Sequence, residues 1–350
     1  MGAFLVVLGA SLWATDSLFR APLSQRFPPL WIVMINHLFL ALPCFFLLYR
    51  YHRELKCLTR RQWLGISYLA IFVSVLGTLA FTESFARSSN YSIPVLLQKL
   101  QPCFAILLAH HFLGERTRPQ FWPLLFIAIM GTYLLSFGFD PVWLHLENAN
   151  FSAIVYALVA SVIWGSGTVV ARAVLLKVSF PLVTALRFFL GAVFSLVLTI
   201  LSGGWEPFLR LGDSSTVAFD LGNFMSMAFI SGFFPIWLYY RGLQSTPAAV
   251  ATLCELAFPL LAIMLNWYFL GATLQKTQIL GAFLIVGSIA LQNLVLPVNF
   301  WKKDSILRHL PGVLGGGTTK KLYVGSDRQQ GILESASGVA GCRPEGENRC

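Results

Sequence analysis

The stretch 246–270 constrains this chain most, because it is almost wholly apolar and yet carries one carboxylate, Glu255, near its middle. A helix rises about 1.5 Å per residue, so residues 247–269 are long enough to cross a hydrocarbon core of about 30 Å. At that depth an acidic side chain must face protein or water, and it is by default a candidate functional group. The stretch therefore predicts a membrane helix with a functional acid in its interior.

The composition favours a membrane protein over a soluble one. The chain has 350 residues, of which 56% are hydrophobic and 11% charged, so it has too few polar side chains to cover a soluble globule of this size. Its formal net charge is +10, but the cations lie in short loops and near the C-terminus, which favours membrane topology over nucleic-acid binding. The six cysteines form no C-x-x-C pair, so neither a disulfide framework nor a metal site is expected.

Ten apolar segments, numbered 1 to 10 in chain order, are each long enough to form a membrane helix. They are residues 2–19, 30–49, 63–85, 91–113, 121–137, 151–171, 181–201, 218–240, 247–269 and 278–296. Basic residues near the segment ends number thirteen on one side and five on the other, which predicts that both termini are cytoplasmic. Segment 1 starts without a basic leader and is expected to be a retained helix, and the short loops favour the plasma membrane.

The two halves of the chain form an internal repeat. A shift of 157 positions pairs Gln98 with Glu255 and Pro102 with Pro259, and it superposes segment 4 on segment 9 with no gap. Five segments per half is an odd number, so the second half must enter the membrane in the opposite orientation. The predicted fold class is therefore an all-α polytopic membrane protein, with ten transmembrane helices arranged as two inverted five-helix repeats.

The chain divides into two repeats and a tail. The first five-helix repeat is predicted over residues 1–148 and the second over 149–301, with the boundary in the acidic connection after Gly138. Residues 302–350 are rich in glycine, serine and charge without an apolar period, which predicts a disordered cytoplasmic tail. The GGGTTKK run in this tail lacks the spacing of a phosphate-binding loop and is interpreted as a linker. No ATP-binding motif occurs, so we expect no cofactor.

Glu255 and Lys99 lie about a third of the way into their segments, too deep for the acid to reach water through its short side chain. The repeat places Gln98 at the position that matches Glu255, and we expect the two faces to meet at a central cavity. Lys99 lies about 100° from that face, where it could line the cavity or pair with an acid. Glu255 either contacts a substrate or proton, or it is a buried acid that fixes helix packing; both interpretations stay open.

Three further residues are weaker candidates. A shift of 151 pairs Trp13 with Trp164, and these residues belong either to an interfacial aromatic belt or to the cavity. Arg187 lies about 10 Å into segment 7, from where it either extends to the cytoplasmic surface as an anchor or binds a ligand. Two acid–base pairs at i,i+4 spacing near the outer ends of segments 1 and 3 are interpreted as local ion pairs.

The order of these motifs resembles the EamA-like transporters of the drug/metabolite transporter superfamily over about residues 1–301. The motifs are W-A-T at 13–15, W-G-S at 164–166, P-L followed by R-F within 181–188, and F-L-G-E at 112–115 with F-L-G-A at 269–272. The resemblance implies a ten-helix inverted-repeat fold that exports or exchanges small metabolites, with a cavity lined by the first, third and fourth helices of each half. The chain departs from the family in Asn36-His37, where Arg-Phe is frequent, and in Ala272, which replaces a glutamate.

We therefore predict a secondary transporter, an exporter or exchanger of small metabolites such as amino acids or related amphipathic compounds, that works by alternating access. Its candidate substrate-binding or coupling residues are Glu255, Gln98, Lys99, Trp13, Trp164 and Arg187. The predicted partners are a small-molecule substrate and the lipid bilayer, without nucleic acid, and a homodimer is left open. The alternatives are a non-transporting membrane sensor and an intramembrane enzyme. The enzyme is disfavoured because paired aspartate, G-x-S-x-G and H-E-x-x-H motifs are absent.

Overall fold

The computed structural model describes residues 1–24, 26–87, 97–98, 100–114, 119–141, 151–203, 216–270 and 275–295, and within these ranges the secondary structure is helical throughout. The helices are Gly2–Trp13 and Asp16–Ser24 in segment 1, Pro29–Arg50 in segment 2, Arg60–Tyr68, Leu69–Leu76 and Gly77–Ala86 in segment 3, Gln101–Leu113 in segment 4, Phe121–Phe137 in segment 5, Phe151–Leu175 in segment 6, Phe180–Leu201 in segment 7, Val217–Ala228, Phe229–Phe233 and Phe234–Leu243 in segment 8, Ala248–Cys254 and Ala257–Leu270 in segment 9, and Lys276–Val295 in segment 10. A short helix, His52–Lys56, joins segments 2 and 3. The predicted tail, 302–350, lies outside the described residues.

Six helical stretches of the described chain are long and apolar enough to cross a membrane. They are Gly2–Arg20, Pro29–Arg50, Arg60–Ser84, Phe151–Leu175, Phe180–Leu201 and Val217–Leu243, and shorter apolar helices cover Gln101–Leu113, Phe121–Leu135 and Lys276–Gln292. Large apolar side chains such as Phe46, Phe126 and Phe283 are exposed, which suits contact with lipid. The prediction of an all-helical polytopic membrane protein is therefore confirmed, whereas ten crossings in two inverted repeats stay a prediction.

The contacts between segments relate the two halves of the chain. Segment 1 packs against segments 8 and 9, and segment 6 packs against segments 3 and 4. Segment 2 packs against segment 7, segment 4 against segment 9, and segment 5 against segment 10. Each of these contacts has a counterpart in the other half, in which every segment is replaced by its equivalent five segments away. The contact of segments 1 and 8, for example, corresponds to that of segments 6 and 3. Such a pattern among these contacts is what two structurally related halves are expected to produce.

Segment 9 is interrupted at Glu255, where the sequence predicted one continuous helix. Its first helix ends at Cys254, residues 255–256 form a turn, and its second helix starts at Ala257. Pro259 is the third residue of this second helix. Proline lacks the backbone N–H, so it is tolerated in a first turn but breaks a helix interior. The interruption therefore puts the acid at a junction between two helices instead of on the side of one.

Segment 4 has a related interruption. Leu97 and Gln98 are helical, Leu100 lies in a turn, and the helix Gln101–Leu113 follows, with Pro102 as its second residue. The two prolines that the sequence repeat pairs therefore both stand in the first turn of a helix that follows a break. Helix ends leave backbone N–H and C=O groups without partners inside the helix, so such breaks create polar sites in an otherwise apolar bundle.

Segments 3 and 8 share another irregularity, a π-helical stretch inside an α-helix. The stretches are Leu69–Leu76 and Phe229–Phe233, and the shift of 157 that relates segments 4 and 9 also pairs Ser74 with Ser231 within them. Each of these serines makes a hydrogen bond to a charged side chain of another segment. Single π-helical turns are frequent at functional sites, and here they occur at related positions of both halves.

Segments 5 and 10 approach backbone to backbone at Gly131 and Gly281. A Cβ added to Gly281 would lie 2.5 Å from the carbonyl oxygen of Gly131, and one added to Gly131 would lie 2.7 Å from the carbonyl oxygen of Gly281. We therefore expect Gly281→Val to push the helices apart and to lower the free energy of unfolding by about 1–3 kcal/mol. The thermal unfolding midpoint of the purified protein in detergent measures this loss.

Gly287, on the same helix of segment 10, provides the matched control. A Cβ added there meets open space, so Gly287→Ala should leave the unfolding midpoint unchanged or raise it slightly, since alanine is the better helix former. A midpoint that stays unchanged in Gly281→Val would contradict the close approach of the two helices.

Candidate functional site

The carboxylate of Glu255 is held by short hydrogen bonds. Its Oε2 accepts from Nε2 of Gln101 at 2.6 Å, and its Oε1 accepts from the hydroxyl of Tyr239 at 2.6 Å. The hydroxyl of Thr168 lies 3.5 Å from Oε1 and 3.2 Å from the Tyr239 hydroxyl. Hydrogen bonds to an ionised acceptor are about twice as strong as neutral ones. These four residues form a connected polar group, called the Glu255 centre below.

The members of the Glu255 centre come from four segments. Gln101 is the first residue of the helix in segment 4, Thr168 lies in segment 6 and Tyr239 in segment 8. All three donors are buried, whereas Glu255 itself is partly exposed. Gln101 belongs to the first half of the chain and the other members to the second. A change in the packing of the two halves would therefore alter the hydrogen bonds of the carboxylate.

The ring of Trp13 adjoins this centre, and Trp164 lies one helical turn before Thr168. The rings of Trp13 and Tyr239 lie 5.1 Å apart, centroid to centroid, and those of Trp164 and Phe81 lie 5.0 Å apart. Trp164 also donates its indole N–H to the carbonyl oxygen of Val73, at 3.0 Å, in the π-helical stretch of segment 3. Both tryptophans are partly buried against the main hydrophobic core. They lie inside the protein, which is where residues that line a cavity must lie.

Arg187 also lies inside the protein. Its Nε donates to the hydroxyl of Ser74 and its Nη1 to the hydroxyl of Tyr240, both at 2.6 Å. Tyr240 follows Tyr239 in the chain, and their ring centroids are 6.0 Å apart. The guanidinium group is therefore bound to the residue next to the one that binds Glu255. Arg187 therefore contacts segment 8 one residue along the chain from the tyrosine that binds Glu255.

Gln98, which the repeat sets opposite Glu255, makes no hydrogen bond to the acid within the part of the chain that the structure describes. The backbone carbonyl of Gln98 accepts from Ser161 at 3.4 Å, and its side-chain Oε1 is buried without a hydrogen-bond partner in the described part of the chain. Gln101, three residues further on, provides the amide that contacts the acid. Lys99 lies outside the described residues.

Sequence reasoning missed Gln101, Thr168 and Tyr239. Gln101 stands three residues after Gln98, and this spacing, which puts both on one helix face, was an available signal. Thr168 likewise stands four residues after Trp164. Tyr239 had no such signal, because it is one of two adjacent tyrosines in an apolar segment. Only the packing of segment 8 against segment 9 shows which of the two reaches the acid.

Ion pairs occur near the segment ends. The two i,i+4 pairs predicted in segments 1 and 3 are both present. A third pair was not predicted and joins Arg26, which follows segment 1, to Asp220 in segment 8 at 2.8 Å. Arg26 also donates to the hydroxyl of Thr216 at 2.5 Å, and the carboxylate of Asp220 is almost fully buried. This pair therefore links the two halves of the chain through residues that do not belong to the Glu255 centre.

Comparison with known proteins gives a consistent result. The model of the EamA-like transporter family matches residues 1–137 and 151–294. The riboflavin transporter ImpX of Fusobacterium nucleatum is 31% identical over 297 residues, which is 82% of this chain and 96% of that protein. An uncharacterized transporter of Clostridium kluyveri is 24% identical over 229 residues, 63% of this chain and 68% of that protein. A solved crystal structure covers 84% of this chain and 98% of its own, with a TM-score of 0.65 and 17% identity, and so supports the fold alone.

The apolar helical fold and these relatives define an integral membrane protein of the transporter class. More specifically, the chain belongs to the EamA-like transporter family. The resemblance inferred from the W-A-T, W-G-S and F-L-G motifs is thereby confirmed. The two matched stretches leave out residues 138–150, the connection in which the sequence put the boundary between the halves.

A double-mutant cycle distinguishes Gln101 from Gln98 as the partner of Glu255. We expect Gln101→Met and Glu255→Met to be coupled by about 1–3 kcal/mol, since each removes one side of a hydrogen bond to a charged group. Gln98→Met should be coupled to Glu255→Met by less than about 0.5 kcal/mol. The free energy of unfolding in mixed micelles, measured for the single and double variants, provides both coupling energies. Stronger coupling for Gln98 than for Gln101 would be incompatible with this geometry.

Proposed function

We propose that the chain is a secondary transporter that carries a small amphipathic metabolite by alternating access, with Glu255 as the substrate contact or the coupling-proton site. Two five-helix repeats over residues 1–148 and 149–301, inverted relative to each other in ten membrane crossings, would be the moving parts. One observation carries the proposal: the carboxylate accepts hydrogen bonds from Gln101 in one half and from Tyr239 in the other. A site shared in this way changes its geometry whenever the halves move against each other.

The chemistry of the carboxylate supports this role. An ionised acid in an apolar interior needs donors, and Gln101 and Tyr239 provide them in the present arrangement. A substrate ammonium or hydroxyl group, or a proton, would satisfy Glu255 in their place and so stabilise a different packing of the halves. The interruptions in segments 4 and 9 support the same role, since transporters of inverted-repeat design bind substrates at discontinuous helices.

The rings and hydroxyl groups near Glu255 suit a compound with an aromatic face and a polar chain. Trp13 and Trp164 supply aromatic surface, and Gln101 and Thr168 supply hydrogen-bonding groups. Because the relative from Fusobacterium nucleatum is named a riboflavin transporter, we propose riboflavin as the first compound to test. Amino acids are the alternative, and in that case the substrate ammonium group would pair with Glu255.

The proposed orientation has both termini in the cytoplasm, and the proposed location is the plasma membrane. Arg53 and Lys56 lie on the short helix His52–Lys56 between segments 2 and 3, and both are exposed. Basic residues in a short connection favour the cytoplasmic side of a membrane. The direction of transport that we propose is export or exchange.

Transport by the wild type and by Glu255→Gln tests the function. Cells that express either protein, or an empty vector, are supplied with riboflavin or amino acids, and each compound is measured inside and outside the cells. We expect the wild type to redistribute one class of compound, and Glu255→Gln to do so at least about tenfold more slowly, because a charge-assisted contact is lost.

Asp140→Asn is the matched control for this experiment, because Asp140 is an exposed acid just after segment 5. This variant should transport at the wild-type rate. Membrane insertion of each variant is verified by its yield and its elution as a single species in gel filtration. Transport by Glu255→Gln at the wild-type rate would remove the acid from the mechanism. No redistribution of either class by the wild type would refute the proposed export or exchange of these substrates.

A further inference from the structure

The guanidinium group of Arg187 has no carboxylate partner among the described residues. Arg187 is partly buried in segment 7, and none of the ion pairs between described residues includes it. Its hydrogen bonds go to Ser74 and Tyr240, whose hydroxyl groups carry no charge. A cation removed from water is costly unless an anion offsets its charge. Among the described residues, no carboxylate therefore lies within ion-pair distance of this guanidinium.

The hydrogen-bonding capacity of Arg187 is also only partly used. A guanidinium group has five N–H donors, and the bonds to Ser74 and Tyr240 use one on Nε and one on Nη1. Nη2 makes no hydrogen bond to a described residue. It is not one of the fully enclosed polar atoms that lack a partner, so it remains accessible. The free donors on Nη1 and Nη2 form one edge of the planar group. That edge matches two oxygen atoms of a single carboxylate or phosphate.

The neighbouring side chains orient this edge without neutralising it. The guanidinium carbon lies 5.5 Å from the ring centroid of Tyr240 and 5.9 Å from that of Phe188, and both rings restrict its position. His37 is buried and close enough to interact electrostatically with Arg187, but its ring carries no negative charge. In surroundings of low dielectric constant, a fixed cation of this kind attracts anions strongly.

We propose that Arg187, Ser74 and Tyr240 form an anion subsite that receives a carboxylate or phosphate group of the transported compound. The subsite rests on the proposed transport function and narrows its substrate class to amphipathic anions or zwitterions. Glu255 and Arg187 are bound by the adjacent tyrosines 239 and 240, so one compound could contact both with two of its polar groups. A bound anion would complete the hydrogen bonds of the guanidinium group and offset its charge while the halves rearrange.

Binding to the purified full-length protein in lipid nanodiscs tests the subsite. The probes are two pairs that differ only in the anionic group, riboflavin with riboflavin 5′-phosphate and phenylalaninamide with phenylalanine. We expect the wild type to bind the anionic member of at least one pair about tenfold more tightly or better, the effect of a charged hydrogen bond. Arg187→Gln should reduce that ratio of affinities to about one, since only a neutral donor remains.

Two further variants separate charge from geometry. Arg187→Lys keeps the charge but loses the planar edge, so its ratio of affinities for the anionic and the neutral probe should lie between those of the wild type and Arg187→Gln. It also replaces Arg187→Gln as the test variant if that protein fails to fold. Arg241→Gln removes an exposed arginine from the helix that holds Tyr240, and its ratio should equal that of the wild type. A wild-type ratio in Arg187→Lys would overturn the two-oxygen contact.

The remaining outcomes separate this subsite from the proposed function. Equal affinities within a pair that the wild type binds would overturn the anion subsite and leave the transport function in place. If none of the four compounds binds, the proposed substrate classes are wrong. The anion subsite is then tested by the effect of inorganic phosphate and acetate, at constant ionic strength, on thermal unfolding. Stabilisation of the wild type but not of Arg187→Gln against thermal unfolding would support the subsite. No difference between the two proteins would overturn it.

Discussion

Lipid offers no hydrogen bonds, so most polar groups that helices carry into a membrane must find partners within the protein itself. Leaving a buried donor or acceptor unpaired costs about 1–3 kcal/mol, and more for a charge. This cost explains why Glu255 lies where an amide and a phenol converge at 2.6 Å. It also explains the position of Arg172, whose guanidinium donates to the carbonyl groups of Leu243 and Gln244 at the C-terminal end of segment 8. There the cation meets carbonyl groups that a helix leaves unpaired, together with the negative end of the helix dipole.

The same requirement governs the irregular backbone. A π-helical stretch or a helix junction disturbs the regular ladder of backbone hydrogen bonds, and nearby side chains must complete it. Trp164 does so for the π-helical stretch of segment 3, because its indole N–H donates to the carbonyl group of Val73. The indole also packs on Phe81, so one side chain both completes the backbone hydrogen bonding and contributes to the aromatic packing. A substitution of Trp164 would therefore affect both.

Much of the fold could be predicted because its signals are local. The length of each apolar segment follows from the membrane thickness, and the pairing of Pro102 with Pro259 marks where segments 4 and 9 restart after a break. Glu255 could be recognised because it is the one charged residue in its apolar stretch. Its contact with Gln101 could not be assigned, since the two residues are 154 positions apart in the chain and the sequence offered Gln98 on the same face. No local period encodes such a contact; it depends on how two segments pack. The interruption at Glu255 was missed for a related reason, because proline is tolerated in membrane helices where neighbouring groups satisfy the backbone.

Adjacent tyrosines tie the acid to the guanidinium group. Neighbouring residues on a helix point about 100° apart, and the ring centroids of Tyr239 and Tyr240 are 6.0 Å apart. One hydroxyl donates to Glu255 and the other accepts from Arg187. Their helix, Phe234–Leu243, begins directly after the π-helical stretch of that segment. Any rotation of this helix, for example by conversion of the π-helical turn to α-helix, would move both hydroxyl groups together. A ligand that displaced one tyrosine by rotating this helix would therefore also move the other, and segment 8 would then couple the two contacts.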